Sequence, residues 1–144
     1  MADDSFSSFP RRIRARAKQL ENSVSRAIRS VALAADRAAV QATPVDTGNA
    51  RSNWNVTVRV PKITVDDNTE IGGTGPATQK ALAKARSAVV KFRLRDGVIW
   101  LTNGVSYIRR LDQGYSSKGG FMTDAALLAG ARAARIALKK GIFK

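Results

Sequence analysis

A chain of 144 residues suits a single domain with one modest core. It holds no cysteine and no histidine, which excludes disulfides, thiolate nucleophiles, the common zinc ligand sets and every Ser-His or Cys-His catalytic pair. The 25 Lys and Arg against 11 Asp and Glu leave a formal charge of +14, which favours a polyanionic neighbour: nucleic acid, an acidic protein surface, or a channel that carries DNA.

Residues 1–9 are small, polar and unpatterned, and are expected as a flexible N-terminal arm ahead of one domain over 10–144. They contain no apolar core of a signal peptide, and no run approaches about 18 apolar residues, so neither export nor membrane spanning is expected. From Pro10 the pattern changes. Ile13, Ala17, Leu20, Val24, Ile28, Val31, Ala35 and Ala38 recur at steps of three and four with Arg and Lys between them, which predicts a helix. Pro10 can open it and Pro44 forbids helical backbone at Thr43, so the expected span is 10–42, about 48 Å long. So long and alanine-rich a stripe calls for a closely approaching neighbour.

Asn53–Val60 alternate, with Trp54, Val56, Val58 and Val60 on one side and Asn53, Asn55, Thr57 and Arg59 on the other. That predicts a half-buried strand. Lys62–Ile71 supplies a short second strand broken by a turn at Asp66, Asp67 and Asn68. Gly72–Gly75 is a flexible break, and Pro76 suits the first turn of a helix through Ala77, Leu82, Ala85 and Val89. Arg93–Arg95 and Val98–Leu101 read as a hairpin about Asp96-Gly97, closed by Asn103-Gly104. Tyr107–Gln113 reads as a short helix ended by Gly114. The segment Ser116–Gly120 is a mobile loop, and Thr123 caps a last helix over Asp124–Lys140. The order predicts an α+β fold: a long N-terminal helix, a small mostly antiparallel sheet with a helical insertion, and a C-terminal helix.

Candidate chemistry is sparse. The Gly72–Gly75 loop lacks the glycine-to-lysine spacing of a phosphate-binding loop and the third glycine of a dinucleotide fingerprint, so a plain flexible loop is the better reading. Asp66, Asp67 and Glu70 could gather a cation, but three acids around a turn are more simply solvated, and calcium-loop spacing is missing. No cofactor and no metal are expected. Trp54 and Trp100 are most simply core residues, while Tyr107 and Tyr115 suit either core or interface. The basic residues of the first helix, Arg11, Arg12, Arg14, Arg16, Lys18, Arg26, Arg29 and Arg37, could meet phosphates or a solvated surface equally well. No helix-turn-helix, zinc-finger or RNA-binding signature accompanies them.

Two stretches are more specific. TPVDTGNARSNW, directly after the long helix, resembles the Pro-Val-Asp-Thr-Gly-x-Leu-Arg-x-Ser element of tailed-bacteriophage head–tail joining and tail-completion proteins. Pro44, Val45, Asp46, Thr47, Gly48, Arg51 and, one place early, Ser52 align, with Ala50 where leucine is common. YIRRLDQGY, Tyr107–Tyr115, is similar to the family's Tyr-Ala-x-x-x-Glu-x-Gly element, with Ile108 for the alanine and Asp112 for the glutamate. The two occur in the family's order within a matching helix–strand–helix plan.

The resemblance implies a structural virion protein of the neck or head-proximal tail, assembled in the host bacterial cytoplasm, and not an enzyme. It implies a six- or twelvefold homo-oligomeric ring that joins tail to capsid, passes DNA on ejection, and contacts neighbouring neck and tail-tube or tail-terminator proteins. A small basic nucleic-acid-binding protein is the alternative. Under the first reading Pro44, Asp46, Thr47, Gly48 and Arg51 shape a turn, with Asp46 and Thr47 bonding its backbone. Arg11, Arg12, Arg14, Arg16 and Arg26 face lumenal DNA or an acidic ring. Tyr107, Arg109, Asp112 and Tyr115 lie at a subunit interface.

Overall fold

A computed structural model describes residues 4–67, 71–117 and 119–140. Its elements run α1 (Asp4–Ala42), α2 (Asn49–Ser52), β1 (Trp54–Val58), α3 (Thr74–Val89), a 3-10 turn (Leu94–Asp96), β2 (Ile99–Asn103), α4 (Ile108–Asp112) and α5 (Met122–Lys139). The architecture is α+β, as expected. The two strands form one antiparallel pair, with Trp54 opposite Asn103 and Val58 opposite Ile99. Among the described residues no helix is long and apolar enough to cross a membrane.

The long helix begins before its expected start. α1 runs through Asp4–Phe9 and takes Pro10 into its interior, so the expected boundary at Pro10 and the separate arm over residues 4–9 are corrected. A proline there removes the N–H that would have met the Phe6 carbonyl. Both Phe6 and Pro10 are exposed, so solvent reaches that carbonyl and the helix continues. Its C-terminus falls where expected: Ala42 is the last helical residue and Pro44 follows, buried.

The core lies where the C-terminal half of α1 meets α5 on one flank and α3 on another. Ala39, Val40, Trp54, Ala81, Met122 and Ala126 form its centre. A second cluster of Val56, Ala85 and Val89 sits beside Ala32, Leu33 and Ile99. Alanines dominate the facing surfaces of α1 and α3, so the backbones approach closely and each buried side chain contributes little apolar area by itself. Arg29 adds a polar tie, donating through Nη1 to the Val90 carbonyl at the end of α3 at 2.9 Å.

Five further expectations are corrected. The alternation at Asn53–Val60 suggested a polar outer face, yet Asn53 and Asn55 are buried. Asn53 Nδ2 donates to the Asp66 carbonyl at 2.9 Å while its Oδ1 accepts the Asp66 amide at 2.8 Å. These paired bonds hold Pro61–Asp67 across that face as irregular chain, so Lys62–Ile71 is no second strand in its described part; Asn68 and Glu70 lie outside the described residues. Thr102 Oγ1 donates to the Lys62 carbonyl, and Gly104 lies so close to the Ile63 carbonyl that any Cβ would collide with it.

The hairpin about Asp96-Gly97 is absent as well. Asp96 accepts the Arg93 amide at 2.8 Å and the Arg59 guanidinium at 3.1 Å, closing a 3-10 turn, and β2 pairs back to β1 across the inserted α3. Consequently Trp100 stands on the outer face, 40% exposed, its indole N–H donating to the Arg59 carbonyl. Finally, α5 starts at Met122, and Thr123 is inside its first turn instead of capping it.

Candidate functional site

The chain leaves α1 through Thr43 and Pro44 and turns at once. Gly48 adopts φ 89°, the left-handed region that side chains disfavour, and a Cβ there would stand 2.7 Å from Ile71 Cγ2 and 3.1 Å from Ala77 Cβ. Glycine is therefore required twice, for backbone conformation and for contact with α3. Thr47 Oγ1 accepts the Asn49 amide at 3.4 Å, as expected of a turn hydroxyl. Asp46 does not do so: it is exposed and has no hydrogen bond or ion pair among the described residues, a correction to its expected turn-bonding role.

Arg51 is the principal tie of the junction. Its Nη2 donates to the carbonyls of Thr43 at 2.7 Å and Gln41 at 3.2 Å, and Nε donates to Thr43 again at 3.2 Å. Nη1 reaches Thr78 Oγ1 on α3 at 3.2 Å. A cation here satisfies the last carbonyls of α1 and complements the negative end of its dipole. Partial burial lowers its pKa, but a guanidinium keeps its charge. Beside it, Thr43 Oγ1 donates to the Ala39 carbonyl and accepts the Trp54 indole N–H, both at 2.7 Å, joining helix end to strand start.

The second motif folds against the first. A cleft of about 600 Å³ is lined on one side by residues from Pro44 to Ala50 and on the other by Tyr107, Leu111, Tyr115, Ser116 and Ser117. Two segments distant in sequence thus share one recess, with Tyr107 and Tyr115 exposing their rings on it. Arg110 lies 5.8 Å from the Tyr115 ring centre and steadies it by a cation–π contact. Ser116 and Gly119 form an isolated antiparallel bridge that shapes the loop beyond.

Asp112, expected at an interface with Tyr107 and Tyr115, is engaged within the chain. Its carboxylate accepts the Thr123 amide at 2.9 Å and hydroxyl at 2.6 Å and so caps α5 from α4. Burial pushes its pKa up, but the bonds from Thr123 and the Met122 amide outweigh it and hold the group below its ordinary value. Arg109 is exposed and takes no part in the cleft. Arg11, Arg12, Arg14, Arg16 and Arg26 are all exposed along α1, far from this recess in the helix; Arg16 reaches Gln19 and Arg26 reaches Ser23 along it.

Two further charges, one half-buried and one buried, had escaped notice in the sequence. Lys84 on α3 donates to the Ser52 carbonyl at 2.7 Å and Asn55 Oδ1 at 2.9 Å, with Asp66 at 3.6 Å. Burial lowers its pKa against the pull of Asp66. Asp66 also pairs with Lys62 at 2.9 Å, so lysines engage the acid that had seemed a candidate cation ligand. Asp36 on α1 is fully buried, neither carboxylate oxygen has a partner, and burial pushes its pKa up to about 7 against the opposing charge of Lys84. The signal available was an aspartate in the middle of the run Ala32–Ala39, on the helix face the alanines bury.

Chemically, the cleft offers two phenol rings, hydroxyls and the free carboxylate of Asp46 beside the apolar side chains of Pro44, Val45, Ala50 and Leu111. No described base stands against a described nucleophile there. Aromatic rings with one polar edge, set on a recess of mixed polarity, make a surface suited to a protein segment. No protein-family model, curated protein or solved structure matches this chain.

Proposed function

We infer that the chain is a structural virion protein of a tailed phage, a subunit of a ring at the head–tail interface that joins tail to capsid and leaves a passage for DNA. The observation that carries this reading is the convergence of the two motif stretches. Pro44–Ala50 and Tyr107–Tyr115 face each other across one cleft, while Arg51 and Asp112 are engaged in capping α1 and α5. Motif residues bound up in holding helix ends build a rigid platform and do no chemistry of their own. The tyrosines then serve contact with a neighbouring subunit or ring, and the basic α1 surface faces DNA or an acidic layer.

Electron microscopy and peptide mass spectrometry of purified virions test the reading. The protein should be a stoichiometric component of mature particles at the neck; its absence from them defeats the proposal.

The exposed basic run from Arg11 to Lys18 favours a second reading, a non-specific nucleic-acid-binding protein. That reading requires micromolar duplex binding at about 50 mM salt and a steep loss as salt rises. A flat salt response discards it.

A further inference from the structure

The apolar stripe of α1 is continuous, but its cover is not. Phe6 is 86% exposed, Phe9 55%, Ile13 54% and Leu20 42%, and they follow one another at helical spacing with Ala17 between the last two. From Val24 onward the same stripe turns toward α5, whose antiparallel course ends near Val24. The N-terminal part of α1 is thus a helical arm about 22 Å long over Phe6–Leu20, with an apolar edge that nothing among the described residues covers.

The chain also carries an uncovered trough. Beside the seam of α1 and α5 lies a cavity of about 540 Å³ bounded by Trp54, Leu101 and Leu127. A smaller one of about 210 Å³, bounded by Val24 and Leu138, continues it and shares Val31 and Ala134 with it. Neither lining holds a charged side chain among the described residues. The trough follows α5 from Thr123 to Leu138, about 24 Å. Its floor of alanine and glycine lets another helix approach closely.

Arm and trough match in length, in apolar character and in lacking a partner among the described residues, yet they cannot meet within one molecule. The arm is the straight continuation of the helix whose other half forms the trough wall. Pairing two arms face to face is disfavoured by charge: Arg11, Arg12, Arg14, Arg16 and Lys18 lie on each, with no acid between Asp4 and Glu21. The uncharged trough imposes no such repulsion and leaves the arginines on the outward side.

We propose that the arm of one copy docks in the α1–α5 trough of the next, with Phe6, Phe9, Ile13 and Leu20 as its anchors. This is a helix-in-groove contact, and because donor and acceptor surfaces differ, it is heterologous and propagates until it closes. The contact itself stands on the two surfaces; closure into a ring rests on the neck reading above. Repulsion between +14 chains opposes it at low ionic strength, so added salt strengthens it, the reverse of nucleic-acid binding.

The absence of cysteine makes the test direct. Ile13→Cys and Ala131→Cys, both at exposed positions and checked for unchanged melting, are prepared separately, mixed at high salt and oxidised. The expected product is the mixed disulfide, exceeding several-fold that of Ile13→Cys with a Ser87→Cys control on α3, and rising with salt. A dominant homodisulfide of the Ile13→Cys variant with itself, or no excess over the control, overturns the arm contact. If the mixed disulfide fails while the unmodified protein still forms rings under the microscope, the ring reading survives without this contact. If it forms but yields only open chains, the contact stands and ring closure is lost.

Discussion

From Ser25 to Ala42, α1 lies between α5 and α3 and buries Ser25, Asp36, Ala39 and Val40; from Phe6 to Leu20 the same helix lies in solvent. Composition does not separate the halves, since both repeat apolar residues at three and four with arginine between. What differs is cover. The rooted half is held at its end by Arg51 and at its side by Arg29, and it carries a buried carboxylate. The arm has its own ladder and side-chain bonds along the helix such as Arg16 to Gln19. An apolar stripe therefore states where a helix can bury surface, and says nothing of whether its own chain supplies the other side.

That contrast can be broken most severely at the root. Gly48→Val forces a β-branched side chain into positive φ and against Ile71 and Ala77, and should cost about 3 kcal/mol or more. Denaturant unfolding or loss of soluble protein measures it; a variant as stable as the parent would show that the junction does not brace the helix.

Asp36 sharpens the comparison through pH. Its folded pKa of about 7 lies above the ordinary 3.8, so the folded state holds a proton that the unfolded state releases between about pH 4 and pH 7. Its contribution is most favourable below that window and is lost as pH rises through it. The loss is on the order of 4 kcal/mol as an upper bound. Asp36→Asn should flatten stability across the window and melt above the parent at pH 8. Parallel melting profiles for the two proteins would defeat this account.

Arg51→Met removes the cap from α1 while keeping bulk, and should destabilise by about 2 kcal/mol, with Lys at the position restoring little because it lacks the forked donor geometry. Hydrogen exchange should report the opening in the last turn of α1 first. The smallest effect belongs to the arm: Ile13→Ala with Leu20→Ala should change unfolding of the low-salt monomer by no more than about 0.5 kcal/mol. A larger loss would mean that the arm is covered in the free chain.

Local signals read well wherever local physics decides. Pro44 ended α1 because it bars helical backbone before it; Gly114, at φ 81°, ended α4; Pro76 fell in the first turn of α3. Gly48 in the turn after Pro44 was legible for the same reason. The misreadings have a common cause in non-local partners. Asp96-Gly97 has hairpin composition, but the Arg59 ion pair and the pairing of β2 with distant β1 use it otherwise. Asn53 and Asn55 look like a solvent face until Asp66 and Lys84 arrive to satisfy them. The cap that Asp112 puts on α5 was hidden in the same way, because its partner Thr123 belongs to the next helix.

The sequence by itself determined the class of fold, the ends of most helices, the chain's strong positive charge and the positions of both motif stretches, since each depends on propensity, proline and glycine geometry or composition. Only the tertiary structure decided that the two stretches share one cleft, that Asp36 is sealed among alanines, and that half of α1 lies uncovered. Those depend on which surfaces meet, and a periodic stripe carries no address for its partner.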